Sequence, residues 1–129
     1  MAESGPRLGG TVFRLSLSGE LTVLHAFHGP GHPEYNGQQY KPVGPLMQAA
    51  DGSLYGTTNS GGKWGEGGVY RLSSAHGFEQ LVDFAGWMTT DADSPVGALV
   101  QMPEGPLFGT THGGGVANNG AIYALTPAP

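Results

Sequence analysis

The sequence predicts an all-β protein made of β-propeller blades: two four-stranded antiparallel repeats plus one extra strand, in a ring completed by oligomerisation. Three observations carry that expectation. The 129 residues contain an internal repeat, each repeat holds four short β-patterned runs, and glycine turns divide the runs. No segment shows a sustained helical period with caps.

The repeat is read directly from the residues. Pro42 to Leu72 and Pro95 to Leu125 align without a gap at an offset of 53, with 15 identities in 31 positions. At an offset of 57, Gly10-Thr-Val-Phe-Arg-Leu-Ser16 returns as Gly67-Gly-Val-Tyr-Arg-Leu-Ser73, and Leu24-His-Ala-Phe27 returns as Leu81-Val-Asp-Phe84. The four-residue difference falls in one stretch, His28 to Lys41 (14 residues) against Ala85 to Ser94 (10 residues), and length variation of this kind marks a surface loop. Residues 1–9 are then an N-terminal extension, 10–66 the first repeat, 67–119 the second, and 120–129 an extra strand and tail.

The first strand, Thr11 to Ser16, alternates Val12 and Arg14 against Phe13 and Leu15. The second, Leu21 to Phe27, is β-branched and aromatic enough for a pleated surface. Val43 to Gln48 is the third and Leu54 to Thr58 the fourth. Ser18-Gly19 and Asp51-Gly52 separate the pairs, and the later turns, His76-Gly77 and Glu104-Gly105, keep the glycine that a positive φ requires. The tight turns therefore collect at one end. The long connections 28–41, 59–67, 85–94 and 112–120 share the other, with the glycine-rich Gly61 to Gly68 read as an inter-blade link.

Composition removes several functions. Glycine (24) and proline (10) make up about a quarter of the chain, yet hydrophobic residues reach 38% and charged residues only 12%, unlike a disordered chain. No run of 18 apolar residues suggests membrane insertion, and Met1 to Gly10 shows no signal peptide. A net charge of −5 argues against nucleic acid, and the lack of cysteine excludes disulfides and thiolate metal sites.

The Leu54-Tyr-Gly-Thr-Thr58 run, its second occurrence Leu107-Phe-Gly-Thr-Thr111, and the glycine-rich link into Gly10-Thr-Val-Phe-Arg-Leu15 resemble the Gloeo_Verruco tandem repeat, from about Gly10 to Thr126. The resemblance implies propeller-like β repeats in bacterial proteins, with an exported or cell-surface setting, and no catalytic residues to carry over. Such proteins usually hold many repeats, whereas this chain holds about two, and its first repeat replaces the loop approximated by Asp91-Ala-Asp-Ser-Pro95 with the longer His28 to Lys41.

Two blades cannot close a ring, and unpaired edges invite association. Head-to-tail assembly into a trimer or tetramer would supply the missing arc, with the ninth strand completing a neighbour's blade or left over. Alternatively, the chain is a piece of a longer propeller.

Candidate site residues are few. Trp64, Trp87, Tyr35 and Tyr40 fall in the long loops outside the strand alternation, with Asp91 and Asp93 nearby. Exposed aromatics among amides and carboxylates suit a glycan, although sealing of blade or subunit interfaces uses the same residues. Trp64 aligns with Ala117, so it is no repeat-wide packing requirement. His28, His32 and Glu34 form a weak metal candidate, because glycines and prolines set the spacing and no fourth ligand follows. His25 aligns with Val82 and reads as packing, while the recurring Thr57-Thr58 and Thr110-Thr111 read as structural hydrogen bonding. Arg14 and Arg71 share a repeat position, for which an inter-blade pair with Glu20 or Glu79 is the simplest role. No nucleophile elbow or phosphate loop occurs, and no cofactor is expected.

The expectation is a non-enzymatic, self-assembling module that binds a ligand, a glycan in its sharper form or a protein partner, through loops on one face. The alternatives are a purely structural subunit and a metal-dependent enzyme using His28, His32 and Glu34.

Overall fold

The computed structural model describes residues 8–29, 33, 37–84, 92–103, 105–114 and 119–126. These residues are all-β, with nine strands in three antiparallel sheets and no helix. β1 (Leu8–Leu15) pairs with β2 (Leu21–His28). β3 (Tyr40–Gln48), β4 (Leu54–Ser60), β5 (Gly68–Ser73) and β6 (Gly77–Asp83) form a four-stranded meander. β7 (Ala92–Gln101), β8 (Leu107–Gly114) and β9 (Ala121–Leu125) form the third sheet.

The sheets are out of phase with the sequence repeat. The four-stranded sheet takes two strands from residues 10–66 and two from 67–119, so the pattern is two, four and three strands rather than four, four and one. The physical reason lies in the connections. The glycine-rich 59–67 segment was expected to bridge two blades, but it turns the chain back on itself and joins β4 to β5 within one sheet. Gly61, Gly62, Gly65 and Gly67 all have positive φ there, and a Cβ on Gly67 would lie 2.7 Å from the Thr58 carbonyl carbon. The sheet changes fall instead between β2 and β3 and between β6 and β7, at the segments that differ in length.

The middle sheet buries both faces. Against the first sheet it packs Tyr70, Leu72 and Phe78 onto Val12 and Phe27. Against the third it packs Tyr55 and Val69 onto Leu99, Leu107 and Tyr123, with Phe84 in the same cluster. Alternation along β5 explains this, since Val69 and Tyr70 point to opposite faces of the strand.

The two joints are copies of one another. Phe27 meets Tyr70 edge-on at 5.3 Å and 68°, and Phe84 meets Tyr123 at 5.2 Å and 65°. Phe27 and Phe84 are 57 residues apart and the two tyrosines 53, the offsets of the repeat. Each tyrosine lies directly across from a glycine of the Leu-aromatic-Gly-Thr-Thr run, Tyr70 over Gly56 and Tyr123 over Gly109. A Cβ on Gly56 would sit 2.5 Å from Tyr70 Cζ, and one on Gly109 would meet the Tyr123 ring in the same way. The glycine is thus the floor on which the ring lies. Burial pushes the pKa of both phenols up to about 12.

The outer faces lack this cover. Val69 is fully buried, but its counterpart Ile122 on β9 is 79% exposed. Tyr70 is buried, but its counterpart Phe13 on β1 is 53% exposed, with Leu15, Leu21 and Val23 also open to solvent. Phe13 pairs across the strands with Val23 and Leu15 with Leu21, which makes one apolar surface.

Candidate functional site

The long-loop end is held together by one buried amide. Gln39 is fully buried just before β3; its Nε2 donates to the Val82 carbonyl at 2.6 Å and to Asp83 Oδ1 at 3.0 Å. Its Oε1 accepts from Thr58 Oγ1 at 3.0 Å, and its backbone N–H donates to Gln80 Oε1. Thr58 Oγ1 in turn accepts the Gly68 amide at 3.1 Å. One side chain therefore ties the start of β3 to β4 and to the end of β6, with every polar atom of the amide used. The Gly62 amide donates to the Gly37 carbonyl at 3.0 Å and the Phe84 amide to the Gly67 carbonyl at 2.9 Å, so the described parts of the 28–41 and 59–67 connections meet at this rim.

Thr111 repeats part of the arrangement. It accepts the Ala121 amide at 2.9 Å, as Thr58 accepts Gly68. The second threonine of each pair is a strand-to-strand tie, in agreement with the structural reading of the recurrence.

Trp64 stands on this rim, 47% exposed, with Lys63 Nζ 5.0 Å from its ring centroid. Tyr40 behaves differently. It opens β3 rather than standing in the loop, packs with Val12, Phe27 and Tyr70, and faces Gly61, where a Cβ would come 2.6 Å from Tyr40 Cδ1. Among the described residues of the rim, Trp64 is the exposed aromatic ring. Tyr35, Trp87 and Asp91 lie outside the described residues. Asp93 was placed in a loop but belongs to β7, where its backbone pairs with Gly113.

His28 ends β2, while His32 and Glu34, the other two members of that metal candidate, lie outside the described residues. Among the described residues no three His, Asp or Glu side chains converge on a metal position. His25 stacks on Phe78 at 4.0 Å and 6° and meets Phe27 edge-on at 4.6 Å. Burial, with a smaller contribution from His28, lowers its pKa, as expected of packing.

The Arg71 pairing was half right. Arg71 Nε donates to Glu79 Oε1 at 2.8 Å, but the two residues face each other across β5 and β6 in one sheet, not between sheets. Direct cross-strand opposition brings the guanidinium within reach without any second sheet. Tyr55 Oη lies 3.5 Å from Arg71 Nη1. The bond from Arg71 holds Glu79 below the usual carboxylate range. Arg14, the counterpart, is exposed and opposite Thr22.

One cleft had no counterpart in the sequence reading. It occupies about 1230 Å³ at the tight-turn end, away from Trp64, and is lined by His25, Asp51, Tyr55, Arg71, His76 and Phe78 among others. It brings together the Asp51-Gly52 and His76-Gly77 turns with Gly105. The shared location of the turns was legible; the hollow between them depends on packing angles that no local pattern encodes.

No curated protein and no solved structure matches the chain. A family model described as the Gloeobacter/Verrucomicrobia repeat matches residues 1–129. With the signature glycines now explained as seats for the Tyr70 and Tyr123 rings, the chain belongs to the Gloeobacter/Verrucomicrobia repeat family.

Proposed function

We propose that the chain is a non-enzymatic propeller-type repeat module that assembles with copies of itself and presents its long-loop rim to a ligand. The observation that carries this is the contrast between equivalent positions: Val69 is wholly buried and Ile122 is 79% exposed. A face that is core in one repeat and open in the next is an interface awaiting its neighbour. Native mass spectrometry and light scattering test it. A trimer or tetramer is the expected result, and a well-folded single chain at all concentrations overturns it.

The finer reading assigns a glycan to the rim. Trp64 offers a half-open indole face on a loop held by the glycine turns and close to the Gln39 clamp, with a cation at its side. Flat aromatic faces beside polar groups suit the C–H face and hydroxyls of a sugar. A glycan array should give hits that Trp64→Ala abolishes without lowering the melting temperature; an array without hits refutes the glycan. The purely structural alternative predicts instead that Trp64 is covered in the assembly. Acrylamide quenching of a Trp87→Phe variant distinguishes them, since a covered indole is protected.

A further inference from the structure

We infer that β9 is a placeholder, and that in the assembly β1 of a second copy takes its position beside β8. The inference rests on the self-assembly proposed above and specifies the joint. β1, β5 and β9 are the same strand of the repeat: Gly10, Gly67 and Gly120 all have positive φ, followed by Val12, Val69 or Ile122 and then Phe13, Tyr70 or Tyr123. In the middle sheet such a strand lies between β4 and β6. Among the described residues β9 has β8 but no strand on its other side, and β1 has β2 but no strand of the β4 type. Each end therefore lacks what the other possesses.

Two exchanges would complete the four-stranded sheet. Either β9 replaces β1 beside β2 of a second copy, or that copy brings its β1–β2 hairpin to β8 and β9 leaves. Side-chain space favours the second. Gly9 lies so close to β3 and β2 that a Cβ there would be 2.7 Å from Tyr40 Cβ and 3.2 Å from Phe27 Cβ. The matching residue ahead of β9 is Asn119, whose Cβ would occupy that space. β1 is fitted to its own chain, whereas β9 is held by a regular ladder on β8 that β1 can reproduce.

The register follows from the middle sheet. Gly56 faces Tyr70 and Tyr55 faces Arg71, so Gly109 would face Phe13 of the second copy and Phe108 would face its Arg14. Phe13 would lie on Gly109 and meet Phe84, a seat of the kind Tyr70 has on Gly56 against Phe27. The hairpin carries β2 with it as the fourth strand, and the joint between β1–β2 and their own β3–β6 is undisturbed. Strand addition to an open sheet edge gains main-chain hydrogen bonds and side-chain pockets together.

The absence of cysteine makes a clean test. Phe108→Cys with Arg14→Cys should oxidise to covalent multimers, above the background of Phe108→Cys alone. Phe108→Cys with Ala124→Cys should close within one chain, lock β9 in place and reduce the solution mass to 13.3 kDa, with full recovery of the assembly on reduction. Thr110→Cys with Ile122→Cys, at two solvent-facing positions, provides a second lock should the first disturb packing. If the wild type assembles but the Phe108→Cys, Arg14→Cys variant forms no intermolecular disulfide, or if assembly persists with either lock closed, this joint is overturned while self-assembly stands. A wild-type protein that remains a single chain overturns both.

Discussion

Replacing Gly56 by alanine tests whether the signature glycine is a seat for an aromatic ring or merely a flexible residue. Gly56 has ordinary strand φ, so alanine adds no backbone strain, and stiffening the unfolded chain would by itself favour the variant by about 0.5–1 kcal/mol. Against this stands the ring. The new Cβ would lie 2.5 Å from Tyr70 Cζ and 3.0 Å from Leu46 Cδ2, where carbon contacts settle near about 3.5–4.0 Å. Tyr70 is 1% exposed and packed between Phe27 and Phe78, so the ring has no free direction in which to retreat. Overpacking of this kind costs about 1–3 kcal/mol, which leaves a net loss of about 2 kcal/mol near the upper end. Urea unfolding at one fixed protein concentration measures it. Gly52→Ala is the contrast: no atom lies within 4 Å, but φ is +90°, so its effect should be backbone strain of about 1–2 kcal/mol less the same unfolded-state gain, with no contribution from packing. The reasoning fails if Gly56→Ala lies within about 0.5 kcal/mol of wild type, or if Tyr70→Leu leaves its cost unchanged in a double-mutant cycle.

Three further outcomes are expected. Thr58→Val removes a buried hydroxyl that serves Gly68 and Gln39, and should lower stability by about 2–3 kcal/mol in the same urea assay, because two partners lose their bond. Glu79 has a lowered pKa, so its contribution is complete above the normal glutamate pKa and is lost as pH falls through the lowered folded value; Glu79→Gln should flatten the acid limb of the melting-temperature profile. His25 also has a lowered pKa, so the unfolded chain takes up the proton more readily. Stability should fall as pH drops below about 6.5 toward the lowered folded value, and His25→Phe should remove that step.

The strands were legible because alternation and glycine turns are local properties. Their grouping into sheets was not. Residues 59–67 and 28–41 both look like long polar connections, and only the pairing of Thr58 with Gly68 shows that the first returns directly to its neighbour. The repeat position that Arg71 shares with Arg14 made Glu79 a candidate partner, but the sheet that contains both depends on that same pairing. Tyr40 was misplaced for a related reason: the length difference between 28–41 and 85–94 marks a loop but not where it ends, and β3 begins at Tyr40, inside that segment. The aromatic joints do carry a local signal, since Phe27 and Phe84 recur at one offset and Tyr70 and Tyr123 at the other. Gln39 had no such signal, because its counterpart at position 92 is alanine.

That asymmetry has a mechanical consequence. The middle sheet is stapled at its loop end by Gln39, so β6 cannot fray from that end until an interior amide surrenders its partners. Tension or heat should open the middle sheet from the turn tips inward. The third sheet, with alanine where the staple would be, should yield first, which sets a direction of failure along an array whose repeats are otherwise alike.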